Sequence, residues 1–92
     1  MSVLSEPEIQ QALTQLPKWR LERNEFVQDF VFGDFREAMS FVNSIAALAE
    51  RAEHHPDIDI RFNKVRLALS SHDAGGITDR DVKLAGDVGA LL

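Results

Sequence analysis

The chain has 92 residues, 45% of them hydrophobic and 27% charged, which suits one soluble core and falls short of two domains of about 100–150 residues each. Fifteen acidic against ten basic residues leave a net charge of -5, a field that repels nucleic-acid and lipid phosphates, so neither a nucleic-acid nor a membrane partner is expected. Cysteine is absent, which excludes disulfides and thiol chemistry; with no signal-like segment at Met1–Glu6 and no apolar run near 18 residues, a cytoplasmic location is expected.

Ser5 with Glu8 has the form of a capping box, and Pro7 falls in the first turn, where a missing N–H costs little. A first helix is predicted from there, with Ile9, Leu13 and Leu16 on its apolar side and Pro17 ending it. Trp19 and Leu21 alternate with Arg20 and Glu22, Arg23-Asn24 supplies turn chemistry, and Phe26 to Phe32 is rich in aromatic and β-branched residues. These make a first hairpin. Trp19 is expected in the core at a strand start, with a wall for a flat ligand as its other reading.

Asp34 is a candidate N-cap with Glu37 at the third helical position. From Phe35 to about Ala52 the stripe Phe35, Ala38, Met39, Val42, Ile45, Ala46, Ala49 predicts the longest helix, which Pro56 bars from continuing. Ile58, Ile60 and Phe62, then Val65, Leu67 and Leu69, alternate with polar residues, so two strands joined at Asn63-Lys64 form a second hairpin, with Asn63 taking the positive φ of the turn. Arg61, Lys64 and Arg66, flanked by Asp57 and Asp59, read as a solvated strand face. Gly75-Gly76 marks a loop. Thr78 with Asp79 and Asp81 opens a last helix whose apolar face is Val82, Ala85, Val88 and Leu91 or Leu92. The expected class is α+β: one domain over 1–92, helix, hairpin, helix, hairpin, helix, with one four-stranded antiparallel sheet and the helices on one face.

All three histidines, His54, His55 and His72, lie at junctions between these elements. Imidazole titrates near neutrality and can both give and take protons. Glu50 stands four residues before His54, one helical turn away, and is expected to orient it. Pro56 fixes the exit after the adjacent pair. The stretches Pro56 to Phe62 and Lys64 to Ser71 are nearly equal in length, so an antiparallel hairpin returns His72 beside His55. Taken singly, each histidine also reads as a surface residue at an element end. A zinc site is the further alternative, but the pair lacks i, i+4 spacing and no cysteine supports it, so no metal is expected. Ser70 and Ser71 read as strand-end serines bonded to local backbone, with no oxyanion-hole motif beside them.

The run Glu50-x-x-x-His54-His55-Pro56, followed by Phe62, His72 and Asp81, closely resembles the signature of the pterin-4a-carbinolamine dehydratase family. Phe62-Asn63-Lys64-Val65, Ser71-His72, Gly75-Gly76-Ile77-Thr78 and Asp79-Arg80-Asp81 extend the resemblance over nearly the whole chain. It implies a hydro-lyase that takes 4a-hydroxytetrahydropterin to quinonoid dihydropterin and water, recycling the cofactor of aromatic amino acid hydroxylases, with no cofactor of its own. It implies His54, His55 and His72 as the catalytic cluster, with Glu50, Pro56 and Asp81 in support. Glu53 to His55 and Ser70 to Asp73 (Ser70, Ser71, His72, Asp73) are implied as the lining of the pterin, with Trp19 as a further candidate contact. It implies a homodimer or homotetramer with the sheet continued between subunits. Animal relatives also bind a homeodomain transcription factor, for which nothing in this sequence speaks.

The chemistry asks for an acid at the C4a hydroxyl and a base at N5. The expectation is His54, backed by Glu50, as acid, His55 holding the pterin and His72 as base, with acid and base exchangeable. The rival from another class is a non-catalytic, dehydratase-like assembly module.

Overall fold

The computed structural model describes residues 2–92, in the order α1 (Glu6–Gln15), β1 (Arg20–Glu22), β2 (Glu25–Val31), α2 (Phe35–Ala52), β3 (Asp57–Arg61), β4 (Lys64–Leu69) and α3 (Asp79–Gly89). All four strands join one antiparallel sheet in the order β1-β2-β4-β3. The α+β class, the three helices and the two hairpins are as the sequence led one to expect. No helix among the described residues is long and apolar enough to cross a membrane.

Each helix starts on the residue the sequence marks. Ser5 and Glu8 form the capping box of α1, Asp34 accepts from the Glu37 N–H of α2, and Thr78 and Asp81 form a second capping box on α3. These groups satisfy N–H donors that a helix start leaves unpaired. Arg23 and Asn24 both take positive φ, 48° and 64°, as a two-residue hairpin turn of matching twist requires.

The second turn departs from expectation. It is Phe62-Asn63, and the positive φ, 53°, falls on Phe62; Lys64 already belongs to β4, opposite Arg61 and Val31. Asn63 serves elsewhere: its side-chain amide donates to the Phe32 carbonyl at 2.8 Å while its own carbonyl accepts from the Phe32 N–H at 2.9 Å. The hairpin tip is thereby tied to the end of β2.

One sheet face packs on the helices. Phe26 faces Leu69 and Phe30 faces Val65, and these join Leu67, Ile45, Phe41, Leu84 and Val88 in the core. The buried stripe of α2 is rotated from the predicted one: Phe41 is buried while Phe35 and Ala46 are exposed, and on α3 Leu84 replaces Leu91 and Leu92. Helical periodicity alone does not tell which edge of a broad apolar stripe meets the sheet. On the other face Arg20 and Arg66 bond Glu22 and Asp29, an ionic ladder around the buried Val27. It confirms the solvated reading of Arg66.

Candidate active site

The end of α2 sorts the two adjacent histidines. Glu53 caps the helix in the left-handed region, φ 52°, and the His54 N–H reaches back to the Ala49 carbonyl at 3.1 Å. That turn breaks the helical period. His54 swings inward, 8% exposed, and His55 swings outward, with a side chain 62% exposed. Pro56, half-buried, then leads directly into β3.

The carboxylate partners differ from expectation as a result. Glu50 does not back His54; its Oε2 lies 2.5 Å from His55 Nε2. His54 Nε2 instead meets Asp81 Oδ1 at 2.6 Å, across the junction of α2 and α3. The i, i+4 argument assumed that the helix continued through His54, and it stops at Ala52.

Asp81 is fully buried and saturated. Its Oδ2 accepts from the Ser71 hydroxyl and from the Thr78 N–H, each at 2.9 Å. Since Ser71 spends its one proton on the carboxylate, the 2.8 Å contact between Ser71 and Thr78 runs from the threonine hydroxyl to the serine oxygen. A single polar network therefore joins His54, Asp81, Ser71 and Thr78, taking in both ends of the segment that carries His72.

His72 is exposed in the turn between Ser71 and Gly76, which bond to each other as an isolated bridge. Its ring nitrogen and carboxylate oxygens of Glu25 and Asp57 all lie within 4.8 Å of one another. Ser70 donates to Glu25 at 3.3 Å. Glu25 and Asp57 are the neighbours that sequence reasoning missed: they stand at the starts of β2 and β3, and only the sheet brings them to one end. Among the described residues this trio also has the donor types and spacing to take a divalent cation.

The remaining candidates separate. Asp73 is exposed and bonded to Arg80 at 2.7 Å, which holds its carboxyl below the usual 3.8. Trp19 takes its core reading: 7% exposed, it packs edge-on to Phe30, and the cavity it lines is formed with Leu16, Gln28 and Ala85. The start of β1 turns its ring to the helix side of the sheet. His54 and His72 line different cavities. His54 lines a space of about 560 Å³ between α2 and α3, beside Arg51, Arg80 and Lys83, whereas His72 lines one of about 300 Å³ with Glu25, Ser70 and Gly76. The structure thus brings together His54 with Asp81 and Ser71, His55 with Glu50, and His72 with Glu25, Asp57 and Ser70.

Comparisons with known proteins converge on one family. Residues 2–91 match the family model described as pterin 4 alpha carbinolamine dehydratase. A relative from Chloroflexus aurantiacus, provisionally named a pterin-4-alpha-carbinolamine dehydratase, is 52% identical over 100% of this chain and 99% of its own. One of the same provisional name from Sulfurisphaera tokodaii is 45% identical over 100% and 99%. A crystal structure of a transcriptional coactivator/pterin dehydratase from Brucella melitensis superposes with a TM-score of 0.93 at 32% identity, covering 98% of each chain. A pterin dehydratase-like protein identified as a RuBisCO assembly factor in the alpha-carboxysome gives 0.67 at 26% identity, over 80% of this chain and 88% of that one.

Proposed function

The chain belongs to the pterin-4a-carbinolamine dehydratase family, and on that premise we propose that it dehydrates 4a-hydroxytetrahydropterin to quinonoid dihydropterin in the cytoplasm, serving an aromatic amino acid hydroxylase. The observation that carries this reading is the company of carboxylates that each histidine keeps: His54 is bonded to Asp81, His55 to Glu50, and the ring of His72 lies within 4.8 Å of carboxylate oxygens of Glu25 and Asp57.

The reaction breaks the C4a–O bond and forms the C4a–N5 double bond. The leaving oxygen takes a proton and N5 loses one, so an acid and a base must flank a flat substrate. We assign these two transfers to the exposed imidazoles, His55 and His72. With its Nε2–H donated to Glu50, His55 presents the other ring nitrogen as an acceptor, and it is assigned the N5 proton by the logic of a carboxylate-oriented base. His72 is assigned the proton that leaves with the hydroxyl, and Glu25 and Asp57 offset the charge it carries. His54 is buried and oriented by Asp81, and it is assigned no proton transfer.

Single changes His55→Ala and His72→Ala are each expected to slow dehydration about 10²–10⁴-fold. The assay generates the carbinolamine with a phenylalanine hydroxylase and follows its decay. A double variant that matches the wild-type rate would sink the catalytic reading.

The assembly-module reading draws its support from the carboxysome neighbour, a protein identified as a RuBisCO assembly factor. A chain that leaves carbinolamine decay unaltered and binds no pterin would favour it. Two carboxylate-bonded imidazoles, and a third with two carboxylates close by, favour the enzyme.

A further inference from the structure

We propose that Ser71 is a positioning residue that sets where two of the histidines stand, its hydroxyl aiming Asp81 at His54 while its backbone anchors the turn that carries His72. The inference builds on the dehydratase reading for its functional meaning. Its geometry stands without it.

The resemblance places Ser71 among residues that line the pterin. Its side chain cannot serve that purpose, because Ser71 is fully buried and its hydroxyl is engaged twice, donating to Asp81 at 2.9 Å and accepting from Thr78 at 2.8 Å. A carboxylate with two oxygens could turn either to His54. With Oδ2 held by Ser71 and by the Thr78 N–H, only Oδ1 is free to face His54 Nε2 at 2.6 Å. Two fixed donors thus settle the rotation of the acceptor that orients the imidazole.

The backbone of the same residue holds the other histidine. The Ser71 N–H donates to Gly76 at 2.8 Å, and the Ser71 carbonyl accepts from Ala74 at 3.0 Å, Gly75 at 2.9 Å and Gly76 at 3.3 Å. The turn over His72, Asp73, Ala74 and Gly75 therefore closes on Ser71. A shift of Ser71 moves the support of His54 and the base of His72 together. Serine or threonine has the hydroxyl this needs, and alanine keeps only the backbone half.

The test uses the full chain and two variants, Ser71→Ala and Ser71→Thr, read by NMR at the His54 Nε2–H, a side-chain proton held against Asp81. In Ser71→Ala that proton should exchange with solvent about tenfold faster, the factor that accompanies one lost hydrogen bond to a charged group. Ser71→Thr should restore slow exchange. Dehydration should fall in kcat with little change in KM, since no contact with the pterin is lost.

Ile77→Val provides the structural control, a trimmed buried side chain one residue from Thr78 that leaves the network intact. If it accelerates exchange as much as Ser71→Ala does, Ser71 acts through general stability and the proposal is overturned. Wild-type exchange in Ser71→Ala, or a rise in KM alone, overturns it too. The exchange measurement involves no pterin, so an inactive chain with a Ser71-dependent His54 proton would refute the dehydratase reading and leave the positioning role standing.

Discussion

Asp81 shows how much one buried carboxylate can organise. It accepts from His54, Ser71 and Thr78, groups drawn from the end of α2, the turn after β4 and the cap of α3. Asp81→Ala removes the common acceptor and leaves all three unpaired, with an expected loss of about 3–5 kcal/mol in urea unfolding. Glu50→Ala removes only an exposed partner of His55 and should leave the unfolding midpoint within about 0.5 kcal/mol of wild type. The sequence pointed to both carboxylates as support yet attached Glu50 to the wrong histidine. Side-chain pairing at a helix end depends on the backbone angle of one residue, Glu53, and a residue's spacing from its neighbours does not disclose that angle.

At the level of elements, local chemistry was the most legible part. Ser5, Asp34 and Thr78 each mark a helix start because capping needs only a side-chain oxygen and two or three following residues. Thr78→Ala should cost about 1 kcal/mol or more for the lost cap, visible as faster amide exchange in the first turn of α3. The α1 cap adds a pH dependence. The Ser5 backbone N–H, then its hydroxyl, holds the Glu8 carboxyl below its usual 4.5, so the ionised form is favoured in the fold. Its contribution is fully present above 4.5 and is lost as pH falls through the lower folded value. Amide exchange across α1 should rise on acidification below that range, and Glu8→Gln should flatten the response. The apolar stripes were less legible. Phe41 and Leu84 are core residues that periodicity did not select, because several rotations of α2 and α3 fit the same broad apolar face.

Across the whole molecule, the sheet supplies what neither residue nor element could disclose. Glu25 and Asp57 reach His72 because β2, β4 and β3 lie side by side and their ends align. That alignment follows from register: Phe26 opposite Leu69, and Ile58 opposite Leu67. The second hairpin could be counted along the chain, which brought His72 back towards the start of β3. The pairing of β2 with β4 spans the long helix and could not be counted. Leu67 sits in the middle of this arrangement, fully buried. Leu67→Ala should cost about 2–5 kcal/mol, read from the shift of the urea midpoint at constant slope. Val31, Ile60 and Phe62 remain exposed towards the turn end of the sheet, far along the strands from His72. A homo-oligomer formed through the β3 edge should dissociate in Ile60→Lys, measured as a fall in sedimenting mass, with the single-chain fold retained.

The left-handed turn at Glu53 also bears on heredity. A side chain with a Cβ is strained there, and a β-branched one more so. In a mutational scan scored by protein abundance, position 53 should retain glycine, asparagine and aspartate and lose valine, isoleucine and threonine. That spectrum would arise from a backbone angle, with no contact to any ligand required. Lineages could therefore exchange the Glu53 side chain freely within that narrow alphabet while keeping one imidazole turned inward and its neighbour outward.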